Sequence, residues 1–294
     1  MELTTTIVRD CFGSFFIFVR INYRICPNQN VTLNTQQKSF AQALFNAYQT
    51  KQPLKRADWE GVVTDDETAY AVQDCVAQLK QLPTGGYKVS LTSQQTQDMF
   101  DADSPLYGQQ VDSHFLPSPA VLSLKRQTMA PLLEVELGFR ATEDLLPSDS
   151  LDDLRHKTTV CGTLELPDCR FADWFPDLNK YCVMSDCAVG GYVVYGSERP
   201  ADEVFSTVDD AANVSATLYH DGQKEATGQS SEVLGNPFKS LQWLVGKLAA
   251  QGKRFRAGQL VSSGTFLLPP HLTAGKWEAK FDHGFGDVVV NVND

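Results

Sequence analysis

Apolar side chains recur at two different periods along this chain, and the change falls near residue 87. Before it, Phe40, Leu44 and Tyr48 share one helical stripe behind Asn34, a residue suited to cap a helix. Thr64 with Glu67 three positions on reads as a capping box, opening a second helix that carries Ala69, Val72, Val76 and Leu79. From Tyr87 onward the pattern predicts short strands at 87–91, 132–140, 158–166 and 192–195. A hairpin follows from 216–220 to 223–227 across Asp221-Gly222. One later helix stands out, with Asn236 as cap, Pro237 in the first turn and Leu241, Leu244, Val245 and Leu248 at helical spacing. Strands at 259–263, 277–281 and 287–292 close the chain. Many short strands with few helices argue for an α+β mixed sheet, rolled or closed like a barrel, over a doubly wound parallel sheet. Neither a Gly-x-Gly-x-x-Gly loop nor a Walker pattern is present.

Three acidic residues interrupt this pattern. Glu134 and Glu136 stand in an apolar run from Leu132 to Phe139, and Glu165 stands in a second such run. Successive side chains of a strand point to opposite faces, so Glu134 and Glu136 share one face while Leu133, Val135 and Leu137 take the other. An acid on an otherwise apolar strand needs a partner. A third carboxylate from a neighbouring strand gives an all-oxygen half-shell with open positions, which suits Mg²⁺ or Mn²⁺ acting on an oxygen-rich substrate. Lys88, within Gly85-Gly86-Tyr87-Lys88-Val89-Ser90-Leu91-Thr92-Ser93, is the nearby candidate proton carrier.

Composition narrows the partners. The net charge of −11 and pI of about 4.9 disfavour nucleic acid and anionic membranes, and the largest basic cluster is the short Lys253-Arg254-Phe255-Arg256 run. Seven cysteines without Cys-x-x-Cys pairing fit a reducing cytoplasm. The apolar stretch from Phe12 to Val19 is too short to span a bilayer and no small-residue cleavage site follows it. Residues 1–33, aromatic-rich and without a clear period, read as an N-terminal extension. Residues 34–85 read as a helical part and 86–294 as a β-rich metal-binding catalytic domain.

Several short motifs, in order, resemble the fumarylacetoacetate hydrolase superfamily. They are Gly86-Tyr87-Lys88-Val89 with Leu91-Thr92-Ser93, Tyr107-Gly108, Glu134-Val135-Glu136-Leu137, Glu165-x-x-Asp168-x-Arg170, Ala172-Asp173-Trp174, Leu234-Gly235-Asn236-Pro237 and Ser263-Gly264-Thr265. The branch they resemble is that of 2-keto-4-pentenoate hydratases and 2-oxo-dioate hydratases and decarboxylases. The resemblance implies a mixed β-roll or barrel with a helical N-terminal part, a Mg²⁺ or Mn²⁺ ion, a small 2-oxo acid substrate and homo-oligomers. It implies Glu134, Glu136 and Glu165 as metal ligands and Lys88 as the catalytic lysine. Thr265, with Ser263, is a candidate substrate contact or else a turn residue at a strand end, and Asp168 with Arg170 is either a pair orienting Glu165 or a surface ion pair. The expected activity is hydration of a 2-hydroxy-dienoate or 2-oxo-enoate. Decarboxylation of a 2-oxo-dioate and C–C hydrolysis of an acylpyruvate are the alternatives, and a catalytically weakened oxo-acid binding protein is a rival of another class.

Three positions depart from the family pattern. Leu106 stands where an acid is usual, and Cys187 and Val189 interrupt a usually polar Asp-Asn-Ala-Ser stretch. Asp103 or Asp112 is expected to supply the missing carboxylate. The five histidines show no ligand spacing, and His114 is the one to watch because it precedes the Glu134 strand.

Overall fold

The computed structural model describes residues 2–9, 15–22 and 31–294. Strands β1 (Glu2–Arg9) and β2 (Phe15–Asn22) pair antiparallel with each other. The reading of 1–33 as an extension falls in part, at 1, 10–14 and 23–30, outside the described residues.

The helical part forms as the apolar stripes require. Helix Thr35–Thr50 is capped by Asn34, which exchanges bonds with Gln37 in a capping box, and it buries Phe40 and Leu44. The second helix, Asp66–Lys80, starts one residue later than the Thr64–Glu67 box would place it. Asp65 is the cap, and its carboxylate accepts from the Thr68 N–H and hydroxyl at 2.8 and 2.9 Å. An ionised cap followed by Asp66 and Glu67 suits the positive end of the helix better than a threonine. Phe40 stacks on Trp59 and packs against Phe171, fixing this helical layer to the chain just beyond the Glu165 strand.

The remaining strands are β3 (Thr84–Ser90), β4 (Leu106–Val111), β5 (Phe115–Pro117), β6 (Ala120–Ser123), β7 (Glu134–Ala141), β8 (Thr158–Leu166) and β9 (Tyr192–Tyr195). After them come β10 (Arg199–Pro200), β11 (Ser215–His220), β12 (Gln223–Gln229), β13 (Leu260–Ser262), β14 (Gly275–Phe281) and β15 (Asp287–Asn293). Two mixed sheets result. One runs β4-β3-β13-β7-β8-β9-β5 with β10 on β8, and the other runs β12-β11-β14-β15-β6. The hairpin between β11 and β12 turns on Asp221 and Gly222, both at positive φ, as a two-residue turn demands.

The sheets meet on the apolar face of β7 and β8. The Phe281 ring of β14 lies where a side chain on Gly162 would stand. On the same face Phe139 packs against Phe238 of helix Pro237–Ala250, which Asn236 caps. This layering buries Val135, Leu137 and Phe139 completely and leaves the opposite face of the large sheet for Glu134 and Glu136. The α+β mixed-sheet expectation therefore holds.

Candidate active site

Strand register alone assembles the site. Glu134 lies directly opposite Glu165 across the β7–β8 ladder, so the third carboxylate arrives on the face that carries the first two. On the other side of β7, the short strand β13 runs antiparallel to β7 and parallel to β3. It pairs Ser262 with Gly138 on one flank and with Lys88 on the other. Residues paired in register share a face, so Lys88, Ser262, Glu136 and Glu165 all point the same way. Gly86 makes the β3–β13 approach possible, since a Cβ there would collide with the Leu260 carbonyl.

Lys88 forms an ion pair with Glu165 Oε1, and its Nζ is 4.0 Å from Glu134 Oε2. Ser262 Oγ donates to Glu165 Oε2 at 2.5 Å, and the Gly264 N–H donates to Glu136 Oε2 at 2.8 Å. Lys88 and Glu165 are each 1% exposed, Glu136 is 0% exposed and Glu134 14%, so these charges have little water to draw on. Oxygens of the three glutamates lie within 4.8 Å of one another.

The electrostatics fit a cation. Three carboxylates against one ammonium leave two negative charges over, and Glu136 Oε1 is buried with no hydrogen-bond partner. Burial pushes the Glu134 carboxyl up to about 7, with Lys88 opposing and Glu165 adding to the rise. Burial, then Glu165 and Glu134, push Glu136 well above the usual carboxylate range. Burial works against the Lys88 ammonium, but Glu165 and Glu134 outweigh it and hold its pKa above the ordinary value. A buried acid excess of this kind is costly unless a divalent ion joins it, and an all-carboxylate oxygen set suits Mg²⁺ or Mn²⁺.

Glu134, Glu136 and Lys88 open onto a cavity whose other walls include Leu91, Phe100, Leu132, Trp174 and Val189. Thr265 also lines it, with its hydroxyl donating to the Leu267 carbonyl at 2.8 Å. Ser263 does not line it: it is fully buried, and its hydroxyl donates to the Leu137 carbonyl of β7 at 2.8 Å. The serine that touches the acid cluster is its neighbour Ser262, which the strand period hides until the register of β13 is known.

The expected Asp168–Arg170 pair does not form. The Asp168 carboxylate accepts from the Met129 and Ala130 N–H groups at 2.9 and 2.8 Å, anchoring the chain that leads into β7. Arg170 turns instead to Asp186, with Nε 2.5 Å from Oδ1, and donates to the Gly190 carbonyl at 2.7 Å and the Asp186 carbonyl at 2.9 Å. Its five donors are better satisfied by the turn at 186–190 than by an acid already taken. Cys187, Ala188 and Val189 in that turn are all at positive φ.

Asp103 and Asp112 are exposed, and neither lines the cavity. Leu106 is buried outside the cavity wall, paired with Ser90 across the β3–β4 ladder. His114 is buried on Tyr48 Oη at 3.0 Å, and burial together with Lys80 and Arg170 lowers its pKa to about 3, so it is neutral and away from the acids. The cysteines among the described residues, Cys187 included, are buried and form no disulfide.

No family model matches the chain. A 2-oxo-hept-4-ene-1,7-dioate hydratase of Escherichia coli is 31% identical over 241 residues, covering 78% of this chain and 87% of that protein. A 2-keto-4-pentenoate hydratase of Paraburkholderia xenovorans is 28% identical over 237 residues, covering 78% of this chain and 84% of its own. Among solved structures, 4-oxalocrotonate decarboxylase from Pseudomonas putida G7, complexed with magnesium and adipate, superposes with a TM-score of 0.81 at 22% identity. That match covers 90% of this chain and all of the other. Fumarylpyruvate hydrolase from Pseudomonas aeruginosa, in complex with Mn²⁺ and pyruvate, gives a TM-score of 0.55 at 17% identity, covering 70% of this chain and 88% of its own.

Proposed function

The chain belongs to the hydratase–decarboxylase branch of the fumarylacetoacetate hydrolase superfamily, and from that premise we propose that it is a metal-dependent hydro-lyase adding water to a 2-hydroxy-dienoate or 2-oxo-enoate. The observation that carries this reading is the carboxylate triad built by the β7–β8 register, with Lys88 buried against it. Glu134, Glu136 and Glu165 would hold Mg²⁺ or Mn²⁺. That ion, when bound, supplies positive charge for the carboxylate and keto oxygens of the substrate.

The chain's own residues do the rest. Gly264 N–H and Ser262 Oγ each fix one oxygen of Glu136 and Glu165, which leaves their second oxygens aimed at the site. Lys88 Nζ holds the proton to be exchanged with a substrate carbon. It keeps that proton while the carboxylates face it, and releases it more readily once their charge is engaged elsewhere. The apolar walls keep bulk water from the enolate carbon.

Hydration is favoured over decarboxylation of a dioate because Lys88 is the only cation among the described residues lining the cavity. The test is incubation with 2-hydroxypenta-2,4-dienoate and Mg²⁺ or Mn²⁺, with product identification and deuterium exchange at C3 of a 2-oxo acid in D₂O. Ion-dependent formation of the 4-hydroxy-2-oxo acid is expected. Exchange without hydration would overturn the hydratase reading in favour of another reaction through the same enolate, and neither would leave only a binding protein.

A further inference from the structure

The cavity lining is of two chemical kinds. Lys88, Glu134 and Glu136 supply its charge, and Phe100, Leu132, Trp174, Phe175, Val183 and Val189 supply an apolar wall in which Phe175 packs on both Phe100 and Trp174. The polar groups along that wall are engaged already. The Trp174 indole N–H donates to the Ala130 carbonyl at 2.9 Å, the Thr96 hydroxyl to the Ser93 carbonyl at 3.0 Å, and the Thr265 hydroxyl to Leu267. The nearest buried guanidinium, Arg170, is saturated by Asp186 and Gly190, and Lys180 reaches outward to the Asp101 carbonyl at 2.7 Å.

One wall residue is held in an unfavourable backbone state. Val189 has φ 49° and ends a run of left-handed residues at Cys187 and Ala188. A β-branched residue in that region is strained. The turn is braced by Arg170 on the carbonyls of Asp186 and Gly190, and the result is an isopropyl group set against the cavity.

Resting on the functional reading above, we infer that the group of the substrate distal to its 2-oxo acid end is an uncharged apolar chain, so that this protein takes 2-oxo monocarboxylates and rejects 2-oxo dioates. A second carboxylate placed against this wall would lose its hydration and find no cation there to offset the loss. An alkyl or alkenyl tail would bury apolar surface there at no such cost. The chemistry therefore separates this chain from the dioate that its Escherichia coli relative is named for.

The experiment is calorimetric binding of two unreactive ligands of equal length, 2-oxohexanoate and 2-oxoadipate, to the full chain saturated with Mg²⁺ and, separately, Mn²⁺. The monoacid is expected to bind at least about 100-fold more tightly. Thr96→Arg places a cation at a half-buried position of the same wall and is expected to narrow the ratio by about tenfold or more, mainly by strengthening 2-oxoadipate. Equal or tighter binding of 2-oxoadipate by the unmodified protein overturns the inference while leaving the oxo-acid reading intact. Binding of neither ligand by the metal-loaded protein overturns both. The comparison on the unmodified protein decides the matter even where the variant fails to fold.

Discussion

Replacing Glu136 by glutamine should strengthen the metal-free protein and abolish the benefit of the metal. Glu136 is completely buried, its Oε2 takes one N–H from Gly264, and its Oε1 has no partner. Glutamine is nearly isosteric, keeps an acceptor for Gly264, and removes a charge that faces Glu134 and Glu165. Its folded pKa is raised, so between the ordinary carboxylate range and that raised value the native state binds more protons than the unfolded chain. Stability then falls as pH rises through this window. The gain from Glu136→Gln should therefore be near zero at pH 4 and reach about 1–3 kcal/mol at pH 8, less than the cost of a wholly unpaired buried charge because neighbouring protons redistribute. With Mg²⁺ or Mn²⁺ at a hundred times its dissociation constant, the native protein should gain about 2.7 kcal/mol and the variant almost nothing, reversing their order. Urea unfolding in EDTA and in metal, at both pH values, measures all four numbers. A variant that is weaker in EDTA, or that keeps the metal-induced gain, would refute the assignment of Glu136 as a ligand in an uncompensated acid cluster.

Lys88→Met should remove turnover by at least about 10²–10⁴-fold while leaving Mg²⁺ binding measurable by calorimetry, and unchanged turnover would rule out proton transfer by the lysine. Metal affinity should rise with pH through the value of about 7 set by Glu134, by up to about tenfold per unit for each proton displaced; an affinity independent of pH from 5 to 8 would contradict the raised carboxylates. Asp186→Asn should destabilise the protein by about 3–5 kcal/mol, because it strands the Arg170 guanidinium in the interior; a denaturation midpoint within error of the native one would show that the pair braces nothing. Gly86→Ala should disrupt the β3–β13 join and lower both stability and turnover, whereas a fully active variant would mean that the close approach to Leu260 is dispensable.

The parts of the fold legible in the sequence were those set by local periodicity. The stripe of Phe40 and Leu44, the alternation around Val135 and the Asp221-Gly222 turn each report their own neighbourhood, and each element stands where its pattern puts it. Glu134 and Glu136 were legible for the same reason, since two acids on one strand must share a face. Glu165 was found from its apolar surroundings, and the structure supplies its register opposite Glu134. What local pattern could not reveal was pairing at a distance. Ser262 and Ser263 are equivalent by composition, and only the alignment of β13 between β3 and β7 sends one hydroxyl to Glu165 and the other to the Leu137 carbonyl. Arg170 likewise had an acid two residues away and chose one sixteen residues on, because Asp186 brings two carbonyls of its turn along with it. Leu106 drew attention where an acid is usual, and it is a buried core residue paired with Ser90 across the β3–β4 ladder, a placement that its own neighbourhood in the sequence does not reveal.

Strand β13 also sets the order in which this site can come into being. It is three residues long, yet it separates the lysine strand from the glutamate strand, and the contacts made by it and the residue two beyond it span 97 residues to Glu165 and 128 to Glu136. A ribosome delivers Lys88 and all three glutamates well before it delivers Leu260. Until then β3 and β7 have no common neighbour, and Lys88 stands apart from the glutamates that the β7–β8 ladder brings together. Such long-range closure is slow relative to the formation of helices and hairpins. Desolvation of the acids, and with it selective metal capture, is therefore tied to the last steps of folding, so a chain released short of residue 264 carries every ligand and no site.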